Sequence, residues 1–282
     1  MALTALVLVL TSALLHAGWN ALLKRSRQPE LAVLGMIAVG AASAVALALA
    51  LRSPLPPARS ALWSVTAGVL EAGYLMTLAR ALARAPLGAV YTIARGGALL
   101  VVWPISIGML GEAATLARGA GTLLVLSGLA ATSWRPSPSG GRHEQRSGLA
   151  WAVVCALFIG GYHLTYKLAL NEGGTPPAAD AISLSTAAAI NLAIAGPSKV
   201  RLALAELRAR PLGIVTGGVL ANLSFLLFLF AMTQGGAGVL LTLRNTSILF
   251  AQALAFLLGE RPARLGILGA VLVFAGAVLL AR

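Results

Sequence analysis

Ten apolar stretches of about twenty residues follow one another along this chain, and they leave little room for a soluble fold. A helix that crosses a lipid bilayer needs about 20 consecutive, mostly apolar residues, because a helix rises about 1.5 Å per residue. The predicted spans cover residues 3–23, 31–51, 61–83, 89–110, 116–134, 148–170, 178–196, 212–233, 239–258 and 265–281. The sequence therefore predicts an all-α integral membrane protein with ten transmembrane helices.

The charge content agrees with that prediction. Charged residues make up 10% of the 282 residues and hydrophobic residues 59%, whereas a soluble domain carries about 25% charged residues. The net charge of +13 does not indicate a nucleic-acid partner, because Lys and Arg collect in the short loops, as membrane topology requires. The lipid bilayer is the expected partner. The single cysteine, Cys155, excludes an internal disulfide and a Cys-based metal site.

A doubled segment divides the chain into halves. Leu-Gly-Glu ends at Glu112 and again at Glu260, and in both copies glycines follow nine and sixteen residues after the glutamate. Five spans per half is an odd number, so the second half must enter the membrane from the opposite side. Such inverted repeats recur in secondary transporters, where the substrate site lies between the repeats. We predict two five-helix repeats, residues 1–134 and 148–282, joined by a linker at 135–147.

Shorter matches extend the repeat. Residues 18–24 in span one align with residues 161–167 in span six. Thr92-Ile-Ala-Arg95 lies opposite Thr242-Leu-Arg244, within one residue of register. The basic segment at residues 199–210 is open to two interpretations, a short helix on the membrane surface or an ordinary basic loop.

Two five-helix halves that each end in Leu-Gly-Glu and two spaced glycines, together with HAGWNALLK in span one, resemble the EamA branch of the drug/metabolite transporter (DMT) superfamily. The resemblance covers essentially the whole chain. It implies a ten-helix transporter of small metabolites, often amino acids or related compounds, in the inner (plasma) membrane, with a cavity lined by both halves. It also implies cytoplasmic termini. The loops point the other way: thirteen Lys and Arg residues in the odd-numbered connections, against four elsewhere, predict termini outside.

Polar residues inside the spans are the candidates for a substrate site, because an ionisable group at the bilayer centre costs about 2.5–3.5 kcal/mol. Spans one and six carry two polar stripes with aromatic neighbours: His16, Trp19, Asn20 and Lys24 in the first, and Tyr162, His163 and Lys167 in the second. The repeat sets Asn20 against His163 and Lys24 against Lys167. The lysines alone fit a cavity and snorkelling to the headgroups equally well, whereas snorkelling does not explain the histidines. No carboxylate or thiol accompanies the histidines at ligand spacing, so no metal is expected.

Two arginines occupy matching positions, Arg95 in span four and Arg244 in span nine. Tyr91 precedes Arg95 by one turn, and Asn245 follows Arg244 directly. A guanidinium group presents a planar fork that suits a carboxylate or phosphate, so the pair predicts an anion site. The alternative is that the arginines pair with Glu71 or cap helix carbonyls.

Glu71 is the acidic residue that the predicted spans place nearest to a midpoint. It shares a helical face with Tyr74, and its counterpart in span eight falls near Asn222. Three roles remain open for it: binding a substrate ammonium group, carrying a coupling proton, or neutralising an arginine. Glu112 and Glu260 lie at the membrane edge, where each is expected to cap the helix that follows it.

Four glycines are expected to serve close helix packing. Gly121 and Gly128 in span five, and Gly269 and Gly276 in span ten, are each seven residues apart and mark one face of their helix. Spans five and ten are therefore candidates for a contact within the chain or between two chains. A monomer or a weak homodimer is expected.

Together these residues predict a secondary active transporter, most simply an exporter, of a small zwitterionic or anionic metabolite such as an amino acid or organic acid. The chain lacks a G-x-x-x-x-G-K-[ST] nucleotide loop, so an ion gradient would drive uphill transport, with proton coupling as one option. No catalytic residue and no cofactor are expected. An intramembrane enzyme acting on a lipid-linked phosphate is one alternative, although it would need a cluster of metal-binding carboxylates. A non-transporting scaffold is another, although a scaffold has no need to bury histidines and arginines.

Overall fold

The protein folds into helices joined by short connections. The computed structural model describes residues 2–24, 26, 28–85, 90, 92–133, 142–257 and 264–281, and no strand occurs among them. The helices are α1 (Leu3–Lys24), α2 (Pro29–Ala50), α3 (Ala58–Leu82), α4 (Gly97–Leu110), α5 (Leu116–Ser133), α6 (Arg142–Asn171), α7 (Pro176–Ala209), α8 (Pro211–Met232), α9 (Ala237–Arg244), α10 (Ser247–Leu257) and α11 (Arg264–Ala281).

The helices confirm a multi-pass membrane protein. Within the described residues, seven segments are long and apolar enough to cross a bilayer: Leu3–Leu23, Glu30–Ala50, Ala58–Leu78, Thr92–Leu110, Gln145–Asn171, Pro176–Ala209 and Pro211–Met232. They coincide with predicted spans one to four and six to eight. Three shorter apolar segments, Leu116–Ala131, Ala237–Ala251 and Arg264–Leu280, coincide with spans five, nine and ten. The count of ten crossings stays a prediction.

Two helices extend beyond the predicted spans. α6 begins at Arg142 and not at 148, because the residues before the apolar run include good helix formers such as Arg, Glu and Gln. Residues 135–141, more than half of the predicted linker, lie outside the described residues. α7 bends at Gly196, where φ is 75°, a left-handed value that glycine adopts readily. Pro197 follows directly, and the helix then continues to Ala209. The basic segment after the bend is therefore a helix and not an ordinary loop.

Spans four and nine are both interrupted next to their arginine. Thr92–Gly96, which contains Arg95, is a π-helical turn that leads into α4. Span nine was predicted as one helix over residues 239–258, and this prediction is wrong. The chain forms α9, turns at Asn245 and Thr246, and resumes as α10, with i→i+3 bonds such as Asn245 N to Thr242 O at 3.1 Å.

Helices from the two halves pack against each other throughout. The most extensive pairings join α1 with α8, α3 with α6, α2 with α7, and α5 with α11. The α5–α11 contact confirms the expected role of the spaced glycines, and it lies within one chain. A Cβ atom on Gly128 would lie 2.6 Å from the Gly269 carbonyl oxygen, and one on Gly276 would lie 2.5 Å from the Gly121 carbonyl oxygen. Only hydrogen fits at these crossing points.

The outer surface is apolar, as lipid contact requires. On α11 the exposed side chains Ile267, Val271, Phe274 and Val278 follow one another at helical spacing. Gly269 and Gly276 occupy the opposite side, against α5. The same helix thus offers small residues to its neighbour and large apolar residues to the bilayer.

Candidate functional site

A cavity lies where α1, α3, α6 and the two interrupted spans meet. Its volume is about 30 Å³, which is room for roughly two water molecules, so the side chains that line it lie close together. Its lining comprises His16, Tyr74, Leu78, Ala94, Arg95, Ile159, Tyr162, His163, Leu241, Arg244 and Asn245. Seven of these residues, all but Leu78, Ala94, Ile159 and Leu241, were predicted from the sequence as site residues.

Arg95 reaches from the π-helical turn to both halves. Its Nη2 contacts His16 Nε2 of α1, and its Nη1 donates to Asn245 Oδ1 at 3.4 Å. Trp19 Nε1 donates to His16 Nδ1 at 3.2 Å, so the indole holds the imidazole in place. Trp19 itself does not line the cavity. It supports the ring that touches Arg95.

Arg244 has a matching arrangement in the second half. Its Nη1 lies 3.4 Å from Nε2 of His163, whose Nδ1 donates to the Ile159 carbonyl oxygen at 2.7 Å. That donation places the ring proton on Nδ1 and leaves Nε2 to accept from the guanidinium. The guanidinium carbon lies 4.9 Å from the ring centre of Phe225 and 4.6 Å from that of Phe228. Cation–π contact partly offsets its desolvation.

Arg244 has no carboxylate among its hydrogen-bond partners. The residue is 5% exposed and its Nε has no hydrogen-bond partner. It contacts an imidazole and two aromatic faces, and Glu71 acts on its charge only from a longer, electrostatic distance. Removing an unpaired ion from water costs several kcal/mol, so such a group is usually paired or awaits a ligand.

Aromatic rings form one wall of the cavity. Tyr162 stacks on His163 with the ring centres 4.1 Å apart, and Tyr74 of α3 lies 5.8 Å from Tyr162. The cavity therefore combines two guanidinium groups and two imidazoles with apolar and aromatic surfaces. No carboxylate is among its lining residues. This chemistry suits a small anion.

Comparisons with known proteins identify a family match and a shared fold. Residues 146–282 match the model of the EamA-like transporter family. The resemblance to the EamA branch of the DMT superfamily is thereby confirmed over this half of the chain, and the match indicates a membrane transporter. Among 29 matching chains of solved structures, one crystal structure shares the fold over 98% of both chains, with a TM-score of 0.78 and 21% identity. No curated protein matches the sequence.

Several predicted site residues lie outside the cavity. Asn20 donates to the His16 carbonyl oxygen at 2.7 Å, so its side chain is used within α1. Lys167 donates to the carbonyl oxygens of Met232 at 2.6 Å and Gly235 at 3.0 Å. It therefore neither lines the cavity nor snorkels but satisfies the carbonyl end of α8. The side chain of Lys24 and all of Tyr91 lie outside the described residues.

The hydrogen bonds found for Glu71 join it to neither Arg95 nor Arg244. Its Oε2 accepts from Tyr166 Oη at 3.3 Å and from Ser183 Oγ at 3.4 Å. It lies one turn before Tyr74, beside the cavity and not in its lining. Asn222, its predicted counterpart, is buried in α8 away from the cavity.

The sequence interpretation missed a second buried acid, Asp180 of α7, which is 0% exposed. Asn222 donates from its amide nitrogen to Asp180 Oδ2 at 2.6 Å, and its amide oxygen accepts from Ser43 Oγ at 2.9 Å. Asp180 is two residues inside predicted span seven, so it reads as a boundary residue. The signal that identifies it is a polar stripe at helical spacing, Asp180, Ser183 and Asn191.

Glu112 caps a helix, although not the helix expected. Its Oε1 accepts from the backbone N–H of Gly238 at 3.0 Å, in the first turn of α9. The expectation that it caps the helix directly after it is wrong, because the end of α4 packs against α9 and points the carboxylate at that N-terminus. Glu260 lies outside the described residues. Near Glu112, Thr4 of α1 bonds to Gln234, and Lys167 bonds to the same connection, so residues 233–236 are held from three sides.

Proposed function

We propose that this protein is a secondary active transporter of a small organic anion, working by alternating access between two inverted five-helix repeats. The match of residues 146–282 to the EamA-like transporter family supports a transporter and not an enzyme. The observation that carries the substrate class is the pair Arg95 and Arg244, which face one cavity from opposite halves.

The helix contacts support the inverted repeat. Exchanging every helix for its counterpart five spans away converts the α1–α8 pairing into α6–α3, and it leaves α2–α7 and α5–α11 unchanged. Secondary pairings follow the same rule, since α3–α7 becomes α8–α2. In a chain without internal symmetry, exchanging the helices in this way would not reproduce the same set of pairings. Ten crossings in two halves are the simplest architecture that does.

The interrupted spans support a substrate site at this position. Transporters built from inverted repeats form their midplane sites from broken helices, whose backbone and side chains are freed to meet the substrate. Here the π-helical turn carries Arg95, and the break after α9 follows Arg244. The sequence predicts the two arginines but not these interruptions.

The lining favours an organic acid over an amino acid within the anionic or zwitterionic class. Two guanidinium groups and two imidazoles can hold a carboxylate, and the tyrosines and Leu78 can hold an apolar or aromatic body. An ammonium group would need a carboxylate to accept its hydrogen bonds, and Glu71 lies outside the residues that line the cavity. Uphill movement would draw on an ion gradient.

Ligand binding tests the substrate class. Purified protein should gain thermal stability with organic acids more than with amino acids, since a ligand at 100 times its Kd adds roughly 2.7 kcal/mol to the native state. Arg95→Ala and Arg244→Ala should each weaken that binding by about 10- to 100-fold, because a charge-assisted hydrogen bond contributes about 1.5–3 kcal/mol. Arg208→Ala, an exposed arginine on α7, is the matched control. Equal affinity in all three variants would remove the anion site.

Membrane orientation belongs to the same proposal. The loop charges favour an orientation in the inner (plasma) membrane with both termini outside the cytoplasm. Alkaline phosphatase fused after Arg282 should then be active in the periplasm. A fluorescent protein that folds at this position in the cytoplasm would show the opposite orientation. Uptake into vesicles of known sidedness would then distinguish export from import.

A further inference from the structure

The side chain of Asp180 is buried where three helices meet, away from the cavity. α7 packs against α2, α3 and α8, and Asp180 lies between Asn222 of α8 and the close crossing of α7 over α3. At that crossing a Cβ on Gly68 would lie 2.5 Å from the Ser183 carbonyl oxygen. Water has little access to such a contact, and Asp180 is 0% exposed.

One oxygen of Asp180 has no partner. Oδ2 accepts from Asn222 at 2.6 Å, whereas Oδ1 is buried without any hydrogen bond. An ionised carboxylate in this position would leave a desolvated negative charge on an oxygen that nothing stabilises. A proton on Oδ1 removes that charge and needs no coordination shell, unlike a metal ion, which requires several ligands.

The charged and titratable groups around Asp180 come from three elements. Glu71 faces it from α3, Tyr166 from α6, and Arg244 of α9 lies within electrostatic range. The sides formed by α2 and α8 contribute the neutral groups Ser43 and Asn222. Asp180 thus has an acid on one side and neutral amide and hydroxyl groups on the other.

Glu71 lies within electrostatic range of both Asp180 and the cavity residue Arg244. Ser183, one turn after Asp180 on α7, donates to Glu71 Oε2, and Glu71 lies one turn before the cavity residue Tyr74. Glu71 belongs to the first half and Asp180 to the second, so the two acids lie on either side of the interface that moves in alternating access. Glu71 is partly exposed whereas Asp180 is buried.

We propose that Asp180 Oδ1 is the binding site of a transported proton, which Glu71 exchanges with the cavity. When the proton passes inward, the O–H bond on Glu71 breaks and one on Asp180 forms, so the charge of the pair is unchanged. The role in transport rests on the proposed function, but the presence of the proton does not.

Infrared spectroscopy tests the proton directly. A protonated carboxyl group in an apolar site gives a C=O stretching band that shifts in D₂O, and wild-type protein at neutral pH should show one. Asp180→Asn should remove it, since an amide keeps the size and the bond to Asn222 but has no acid proton. The band should persist in Glu172→Gln, the matched control at the exposed end of α6. A wild-type protein without the band, or a band that survives Asp180→Asn, would overturn the proposal.

Transport in liposomes tests coupling. The probes are radiolabelled malate, glutamate and benzoate, and a pH gradient should drive their accumulation by the wild type. Asp180→Asn should reduce accumulation to the level of empty liposomes, whereas exchange of labelled for unlabelled probe should persist. Accumulation that survives in Asp180→Asn would refute coupling through this residue. If the wild type neither exchanges nor accumulates any probe, the result counts against the proposed function, and the infrared measurement still decides where the proton is.

Discussion

The crossing of α5 and α11 gives the sharpest test of the packing. A methyl group on Gly128 would lie 2.6 Å from the Gly269 carbonyl oxygen and 2.9 Å from the Val273 backbone nitrogen. Backbone atoms cannot turn aside as a flexible side chain can, so the helices must separate. Gly119, on the same helix, has nothing within 4 Å of the corresponding position. Gly119→Ala is therefore a control that adds the same methyl group without the contact.

The magnitude follows from two terms. Overpacking a close contact costs about 1–3 kcal/mol, while replacing a helical glycine by alanine gains roughly 0.5–1 kcal/mol. The second term is common to both variants, so Gly128→Ala should be about 1–3 kcal/mol less stable than Gly119→Ala. Unfolding in a denaturing detergent, followed by circular dichroism, measures that difference. Two variants of equal stability would show that the α5–α11 contact is not as close as described.

Three further substitutions probe individual contacts. Glu112→Gln should weaken the bond between the Glu112 side chain and the Gly238 N–H by about 1 kcal/mol, the difference between a charged and a neutral hydrogen bond. The rate at which a cysteine placed at Gly235 is labelled should then rise about fivefold, and an unchanged rate would contradict this role of Glu112. Lys167→Met should increase labelling at the same cysteine, because the Met232 and Gly235 carbonyl oxygens lose their donor, and it should leave the Kd of the proposed organic-acid ligand within about twofold. Asn222→Leu should lower the stability by about 1–3 kcal/mol by leaving Asp180 without its donor, and a wild-type melting temperature would argue against that bond.

Much of the fold could be predicted from the sequence, because the bilayer sets a fixed length for each apolar run. The spans that contain α1, α2, α3 and α8 agree with the helices to within a few residues. The break after Arg244 could not be predicted, because Asn245 and Thr246 do not disrupt a helix by themselves and the turn depends on packing around them.

The site was predictable where the repeat marks it. The arginines and histidines were found because charge and polarity are rare within spans, and the cavity brings them together. Lys167 and Asn20 have the same signature but bond to nearby backbone carbonyls, and sequence alone does not distinguish these uses. Asp180 was overlooked because a residue near a predicted boundary is assumed to face water.

The short helix α9 has a mechanical consequence. All of its residues, Ala237–Arg244, are buried, and at about 1.5 Å per residue it is roughly 12 Å long. The Glu112 carboxylate of the first half accepts a hydrogen bond at the N-terminal end of α9, and Arg244 lies at its C-terminal end. Because the helix is short and rigid, release of the Glu112 contact at one end would also free the Arg244 guanidinium at the other end to shift along the helix axis.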